Sequence, residues 1–293
     1  MTIKHIVLSG GGQIVFNYFG IIKHLLQEQF INKTELKSIY ASSAGSVVAV
    51  ILCLNYCWSD IEEYIIRCPW NEKINLKLDM IMNAYTTKGI YDTKLFEIIL
   101  KPLFLGNDLS IDITMEELYN YSNIDLHIFS FELNSFEHVN ISHTTHPHTK
   151  VLDALRMSCS YPTLISPLCS ENKCYVDGGF TRNYPLNDCI EEQIKNESEK
   201  DEIFGILNKN IKYDILIDED SSIMDFLKII LQKLTKQICT ACKQEKIKYE
   251  LELITNGVSF EILFQTISNE KVRKDLISEG NNSAKNFLEQ IKD

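Results

Sequence analysis

The sequence predicts an α/β fold, in which a mostly parallel central sheet carries helices on both faces. Two successive segments, residues 3–29 and 36–56, each predict a strand, a turn of small residues and a helix. Consecutive units of this kind place their strands parallel and join them by right-handed crossovers. A chain of 293 residues with 45% hydrophobic content can bury a core of that size. We expect a single domain, with residues 1–190 as its core and residues 191–293 as a C-terminal elaboration.

The first unit runs from an apolar strand through a Ser-Gly-Gly-Gly loop into a helix whose apolar face holds Phe16, Phe19, Ile22, Leu25 and Leu26. Glycine N–H groups at the start of a helix can bind an anion without side chains in the way. Such an anion is a dinucleotide pyrophosphate, a nucleotide triphosphate or the oxyanion of an ester intermediate. Val15 stands where the dinucleotide pattern needs glycine, and the P-loop Gly-Lys-Ser/Thr is absent. An oxyanion hole at Gly10, Gly11 and Gly12 and a plain tight turn both remain open.

The second unit places Ser43 in the pentapeptide Ala-Ser-Ser-Ala-Gly, between an apolar strand and an apolar helix. A sharp strand-to-helix turn written G-x-S-x-G exposes a nucleophilic serine, and Ala41 and Gly45 occupy its two glycine positions. The helix N-terminus adds free N–H groups and a positive dipole end, which favour an anionic transition state. Ser43 is therefore a candidate nucleophile, and a serine that only caps the helix is the alternative.

The next part of the chain predicts a helical layer followed by strands. Residues 58–122 show helical spacing, interrupted at Pro69, Gly89 and Pro102. Residues 125–133 then predict a strand, which a turn at residues 134–135 returns as a partner over residues 137–141. A helix over 151–158 and a short strand over 173–176 precede Asp177.

The tripeptide Asp177-Gly178-Gly179 follows a strand, and catalytic groups gather at strand ends in parallel α/β sheets. Alone, this tripeptide is more typical of an ordinary turn. Together with Ser43, Asp177 becomes a candidate base, because a buried carboxylate can take a serine proton directly at about 3 Å.

A histidine cluster offers a rival to this arrangement. His143, His146 and His148 occur in one short segment, where a metal site or a triad histidine is conceivable. Pro147 opposes a helical ligand face, and the spacing matches no zinc pattern. We expect an exposed loop here, and neither a metal nor a cofactor in the protein.

The three motifs SGGG, ASSAG and DGG, in this order, resemble the patatin-like phospholipase family. The stretch VLDALRMSCSYPTLISPL resembles the family's segment upstream of its aspartate, and CYVDGGFTRNYPL resembles its aspartate motif. The resemblance spans about residues 4–190 and implies a patatin-like catalytic core. It implies that Ser43 is the nucleophile, that Asp177 is the base and that the N–H groups of Gly10, Gly11 and Gly12 form the oxyanion hole. The implied activity is phospholipase A-type hydrolysis of lipid acyl esters, with a phospholipid or another lipid ester as substrate.

Three positions depart from the family pattern and keep alternatives open. Ile14 and Val15 stand where the family usually has a cation and then glycine, and Ala41 replaces the first elbow glycine. A catalytically weak or inactive lipid-binding or interaction protein is therefore one alternative. An esterase that acts on soluble esters is the other.

Residues 222–248 predict an amphipathic helix, with Ser222 as its cap. Six lysines against one glutamate give residues 228–248 a local charge of +5 within an acidic protein. The helix is suited to peripheral contact with an anionic membrane, but a helix that packs its apolar face on the sheet shows the same pattern.

Charge and cysteine content limit the partners and the compartment. A net charge of −11 argues against nucleic-acid binding, because the phosphate backbone repels an acidic surface. The nine cysteines form an odd number, and no signal peptide precedes the first strand. We therefore expect reduced thiols in a cytoplasmic protein, with peripheral membrane association as the further option. No apolar run is long enough to span a bilayer.

Overall fold

A computed structural model describes residues 2–196, 198–210, 217–241, 245–255 and 260–292. Its strands are β1 (His5–Leu8), β2 (Ser38–Ser42), β3 (Gly89–Tyr91), β4 (Asp125–Glu132), β5 (Glu137–Ile141), β6 (Thr163–Ile165), β7 (Leu168–Ser170), β8 (Lys173–Asp177), β9 (Ile203–Asn210) and β10 (Tyr249–Thr255). Its α-helices are α1 (Val15–Gln27), α2 (Ala44–Leu52), α3 (Trp58–Arg67), α4 (Trp70–Lys73), α5 (Leu78–Thr87), α6 (Thr93–Leu105), α7 (Met115–Ser122), α8 (Val151–Cys159), α9 (Leu186–Lys195), α10 (Ile223–Ala241), α11 (Phe260–Ser268) and α12 (Glu270–Gln290).

The central sheet has the order β10-β9-β1-β2-β4-β8-β7, and β5 pairs with β4 beside this path. The five strands from β10 to β4 run parallel, whereas β5, β7 and β8 pair antiparallel. A separate pair, β3 and β6, is parallel. The predicted α/β class with a mostly parallel sheet is confirmed.

Helices cover both faces of the sheet because successive strand residues point to opposite sides. In β1, Ile6 and Leu8 join the larger apolar core with α1, α2 and α8, while Val7 joins a smaller core. That smaller core includes Tyr40 from β2 and Leu186 from α9. The central strands are therefore buried on both faces, as the near-continuous apolar runs of the sequence require.

Local signals account for the helical layer between β2 and β4. Asp92 caps α6 by accepting from the N–H of Lys94 at 2.9 Å, and Thr114 and Glu117 form a capping box at α7. The break predicted at Pro102 is wrong, because Pro102 lies inside α6, close to its end. A proline there removes a single helical hydrogen bond, so the last turn persists.

The residues after 190 complete the sheet and its helical cover. Strands β9 and β10 extend the sheet beyond β1. Helix α12 packs along α1 so closely that a Cβ on Gly20 would lie 1.9 Å from the carbonyl oxygen of Ile277. A Cβ on Gly280 would lie 2.0 Å from the carbonyl oxygen of Asn17. The division of the chain at residue 190 stays a prediction.

The amphipathic helix predicted at 222–248 is observed as α10, which ends at Ala241. Residues 242–244, with Cys242 and Lys243, lie outside the described residues. The following apolar side chains of α10 are more than a third exposed: Ile223, Phe226, Leu227, Ile230, Leu234 and Ile238. Most of its apolar stripe therefore does not pack on the sheet. In the described part of the chain, no helix has the length and apolar character needed to cross a bilayer.

Cysteine pairing differs from the expectation of nine reduced thiols. Cys169 and Cys174 are joined in a disulfide across the antiparallel pair of β7 and β8, where they stand directly opposite each other. Directly opposite residues in such a pair bring their Cα atoms close together, and here they are 4.2 Å apart. The free cysteines whose side chains the structure describes are Cys53, Cys57, Cys68, Cys159 and Cys189.

Candidate active site

Ser43 occupies a sharp turn between the end of β2 and the start of α2. Its backbone angles, φ 49° and ψ −126°, lie in a region that non-glycine residues rarely adopt. The turn directs the side chain away from both elements, as in the strained elbow of serine hydrolases. The backbone N–H of Ser43 donates to Ser158 Oγ at 2.9 Å, and Ser158 in turn donates to the carbonyl of Phe129 at 2.6 Å. These bonds tie the turn to β4 and α8.

Asp177 reaches Ser43 through the unusual pairing of β4. Strand β2 pairs with β4 up to Phe129, and the antiparallel β8 pairs from Ser130, which lies opposite Asp177. Strand β5 pairs with one side of β4 over residues 128–132. Strands β2 and β8 therefore both pair with the other side of β4, one after the other, and their ends meet there. The expectation that Asp177 ends a parallel strand is therefore wrong, although the carboxyl ends of β2 and β8 do converge.

The convergence produces a direct hydrogen bond between the two predicted catalytic side chains. Ser43 Oγ donates to Asp177 Oδ2 at 2.7 Å. The N–H of Gly179 donates to the other carboxylate oxygen, Oδ1, also at 2.7 Å. The distance and the donor direction are those that proton transfer from serine to a carboxylate requires.

Asp177 is buried, and burial raises its pKa from 3.8 to about 6. The hydrogen bonds from Ser43 and Gly179 oppose this shift but do not cancel it. A carboxyl group with a pKa near 6 is ionised at neutral pH and still has appreciable proton affinity. These properties suit a general base.

The small residues of the serine and aspartate motifs are explained by different contacts. A Cβ on Gly45 would lie 2.8 Å from the carbonyl oxygens of Leu8 and Ser9, and one on Gly178 would lie 2.1 Å from that of Phe129. Ala41, in contrast, lies within β2, where its methyl group packs in the larger core. Glycine is therefore needed where backbones touch, and alanine fits at the first elbow position.

The glycine loop supplies fewer free donors than the sequence suggests. The N–H of Gly10 donates to the carbonyl of Asn183 at 3.0 Å, so it is not available to an oxyanion. Within the described part of the chain, the N–H groups of Gly11 and Gly12 have no protein acceptor. Gly12 has φ 61°, a conformation that favours glycine. The predicted oxyanion role of Gly10 is corrected, and Gly11 and Gly12 remain candidates.

Asn208, which the sequence analysis missed, fixes this loop from β9. Its side-chain amide donates to the carbonyl of Gly10 at 3.2 Å, and its backbone N–H donates to Ser9 Oγ at 2.7 Å. The signal in the sequence is a lone asparagine in an otherwise apolar strand segment, Ile-Phe-Gly-Ile-Leu-Asn. Ser158 was missed for a similar reason, since a serine inside a predicted helix carries no motif.

A cavity of about 750 Å³ contains Ser43, Asp177 and the three loop glycines in its wall. Most of the remaining lining is apolar or aromatic, including Phe16, Phe19, Val47, Trp70, Leu95 and Phe264. Among the residues that the structure describes, two cations also border the cavity, and each is in an ion pair. Arg182 Nε lies 3.2 Å from Asp188 Oδ2, and Lys209 Nζ lies 2.6 Å from Glu252 Oε1. The site is thus a polar pair beside a large apolar volume.

Other potential nucleophiles, bases and ligands do not replace this pair. Burial, followed by the charge of Asp177, raises the pKa of the Cys159 thiol in the cavity wall, so that thiol stays neutral. None of the seven histidines lines the cavity as it is formed by the described residues. His143 and His146 are half-buried and His148 is exposed, in the loop predicted for them.

Asp125, His127 and Glu192 form a group that could supply metal ligands. Asp125 begins β4 and pairs with Ser38 at the start of β2, whereas Ser43 follows the end of β2. The group therefore lies at the amino ends of β2 and β4, and Ser43 lies beyond the carboxyl end of β2. His127 Nε2 lies 3.2 Å from Asp125 Oδ2, so an ion pair already accounts for the arrangement.

A serine hydroxyl within hydrogen-bond distance of a buried carboxylate, beside an apolar cavity, brings a nucleophile and a base together and is compatible with the hydrolases. Comparison with known proteins gives the family. The patatin-like phospholipase family matches residues 6–190, and the chain belongs to this family.

The chain is 26% identical over 186 residues to an uncharacterized protein of Acanthamoeba polyphaga mimivirus, covering 63% of this chain and 60% of that protein. It is 23% identical over 206 residues to a probable lipid hydrolase of Invertebrate iridescent virus 6, covering 69% of each. VipD from Legionella pneumophila has a similar fold, with a TM-score of 0.55 at 15% identity over 99% of this chain and 67% of VipD.

Proposed function

We propose that this protein hydrolyses acyl esters of phospholipids or related lipids, in the manner of a phospholipase A, through an acyl-serine intermediate. The observation that carries the proposal is the 2.7 Å hydrogen bond from Ser43 Oγ to Asp177 Oδ2 at the wall of the apolar cavity. Membership of the patatin-like phospholipase family and similarity to a probable viral lipid hydrolase support the same activity.

In the first half-reaction, Ser43 Oγ attacks the acyl carbon while Asp177 accepts the serine proton. The carbonyl oxygen becomes an oxyanion, which the N–H groups of Gly11 and Gly12 stabilise. The tetrahedral intermediate then collapses, and the protonated Asp177 returns its proton to the departing alkoxide. The products of this step are the acyl-enzyme and a lysolipid.

In the second half-reaction, a water molecule attacks the acyl-enzyme and Asp177 accepts its proton. Collapse of the second tetrahedral intermediate releases the fatty acid, and the proton passes from Asp177 to Ser43 Oγ. These steps use only protein groups and water.

The cavity supports a lipid rather than a small ester as substrate. Its volume of about 750 Å³ and its aromatic lining suit a long acyl chain, whose burial is favoured by the hydrophobic effect. An acetyl or butyryl group would leave most of this apolar surface unfilled.

The proposal is tested with a fluorophosphonate probe and a panel of phospholipids, neutral glycerides and short soluble esters. Native protein is expected to be labelled and to release fatty acid, and Ser43→Ala is expected to do neither. Absence of labelling in the native protein would favour an inactive lipid-binding relative. A rate that does not increase above the micelle threshold of the substrate would favour an esterase for soluble esters.

A further inference from the structure

Helix α5 carries a continuous apolar stripe on the side that faces solvent. Leu78 is 73% exposed, Ile81 49%, Met82 72% and Tyr85 96%. Their spacing of three, four and seven residues places them on one face of the helix.

Helix α5 exposes more apolar surface than an ordinary surface helix does. The half-buried residues of α5 are Met80 and Ala84, and within α5 no residue is fully buried. A surface helix usually turns its apolar stripe to the core and its polar side to water. Contiguous exposed apolar side chains of this kind mark an interaction site.

The chain enters and leaves α5 at the wall of the active-site cavity. Ile74 precedes the helix and Tyr91 follows it, and both side chains line the cavity that contains Ser43. Tyr91 belongs to β3, which pairs with β6, and Ile165 of β6 lines the same cavity. The segments on both sides of the helix therefore reach the space assigned above to an acyl chain.

The segment that carries the stripe has a small positive charge in a protein that is strongly acidic overall. Residues 73–88 contain Lys73, Lys77 and Lys88 against Asp79, a local charge of +2 in a chain of −11. Lys77 and Lys88 are exposed and flank the two ends of the helix. An apolar stripe bordered by lysines is complementary to a membrane with anionic headgroups.

We propose that α5 docks the protein on an anionic lipid bilayer, with Leu78, Ile81, Met82 and Tyr85 inserted at the boundary between headgroups and acyl chains. This inference rests on the proposed function, because the docked helix would present a lipid acyl chain to the cavity beside Ile74 and Tyr91. A second copy of the chain is less complementary to this surface than a bilayer is. A two-fold pair of stripes would bring the lysines of both copies together.

The test replaces all four stripe residues with glutamine, which keeps helix propensity while removing apolar surface. Binding is measured by co-sedimentation with vesicles of phosphatidylcholine and phosphatidylserine, and with phosphatidylcholine alone. We expect the variant to lose ~tenfold or more in vesicle binding. Hydrolysis of vesicle lipid should fall in parallel, while hydrolysis of a soluble short-chain ester stays within about twofold of native. Far-UV circular dichroism and the melting temperature report on folding.

A matched control removes the same number of exposed apolar side chains from scattered positions. Leu105, Leu133, Ile194 and Ile254 are each exposed and lie on four different elements or turns. Their replacement by glutamine is expected to leave vesicle binding unchanged. Equal binding by the native protein and the α5 variant would overturn the proposal, as would a dimer that the α5 variant loses while vesicle binding is unaffected.

The two proposals fail in different assays. If the native protein hydrolyses neither the vesicle lipid nor the soluble ester, the proposed function is wrong. Vesicle binding that still depends on the four α5 residues would then support the docking surface without the hydrolase. The salt dependence of vesicle binding separates the two contributions. Salt screens the attraction between the lysines and anionic headgroups, but it does not screen the burial of apolar side chains.

Discussion

Asp177 and Asp125 lie at opposite ends of the central strands, and their pKa values are shifted in opposite directions. Burial raises the pKa of Asp177, whose partners are the hydroxyl of Ser43 and the N–H of Gly179. Burial also raises the pKa of Asp125, but hydrogen bonds and charge from His127 and His143 lower it below its ordinary value. His143 Nδ1 lies 2.9 Å from Asp125 Oδ1.

The difference follows from the partners rather than from burial. Two histidines stabilise the charged form of Asp125, which is therefore a poor proton acceptor. A neutral hydroxyl and a neutral amide leave Asp177 ionised near pH 7 with its proton affinity intact. Asp177 thus has a hydroxyl that it can deprotonate and, among the described residues, no cation within hydrogen-bond distance, which is the environment expected of a general base.

The largest expected effect is on turnover. Asp177→Asn should reduce kcat by ~10³-fold, because the amide cannot accept the Ser43 proton. Asp125→Asn should change kcat by less than about threefold, since Asp125 lies at the amino end of β4, away from Ser43. Release of fatty acid from a lipid substrate measures both. Similar losses of kcat in the two variants would contradict the different roles assigned to Asp177 and Asp125.

A second prediction concerns Asn208, which positions the glycine loop without touching the reacting atoms. Asn208→Ala should lower kcat by ~10-fold with little change in KM, because the freed loop holds the oxyanion less well. Asn208→Asp keeps the shape but cannot donate to the carbonyl of Gly10, so it should show the same loss. Recovery of kcat in Asn208→Asp would indicate a packing role instead.

Much of the fold was predictable from the sequence because its signals are local. The two strand-turn-helix units and the hairpin of β4 and β5 each lie within one short segment and obey simple periodicity. Ser43 and Asp177 were singled out from turns of small residues. The structure brings their side chains together, and their catalytic roles remain predictions.

The parts that sequence reasoning missed depend on distant contacts. The N–H of Gly10 is occupied by the carbonyl of Asn183, which is far away along the chain. The antiparallel direction of β8 depends on which edge of β4 remains open. Periodicity predicts a helix such as α5, but it does not show which of its apolar side chains stay exposed. The sequence therefore predicted α5 only as one helix of the helical layer.

The third prediction uses pH to separate the two aspartates. As the pH falls below about 6, Asp177 becomes protonated and can no longer accept the serine proton. The value of kcat/KM on a soluble ester should therefore fall by about tenfold per pH unit below that point. Asp125→Asn should keep this profile, because Asp125 does not titrate in that range when its pKa is lowered. A flat profile between pH 5 and 7 would contradict the assignment of Asp177 as the base.

The smallest expected effect is on stability, where the two aspartates should differ in sign. Asp177 has a raised pKa, so the folded state binds a proton more tightly than the unfolded state. Its contribution to stability is present at low pH and is lost as the pH rises from 3.8 to about 6. Asp177→Asn removes this cost and should raise the free energy of unfolding by up to about 3 kcal/mol at pH 8.

Asp125 should behave in the opposite way. Its lowered pKa means that its ionised form stabilises the fold above the unfolded pKa, and that this contribution is lost as the pH falls. Asp125→Asn should therefore be less stable than native protein at pH 8. Urea unfolding of the three proteins at pH 8 and at pH 4.5 measures the differences. If both variants are destabilised at pH 8, the buried charge of Asp177 does not lower stability, and the two aspartates differ only in their effect on catalysis.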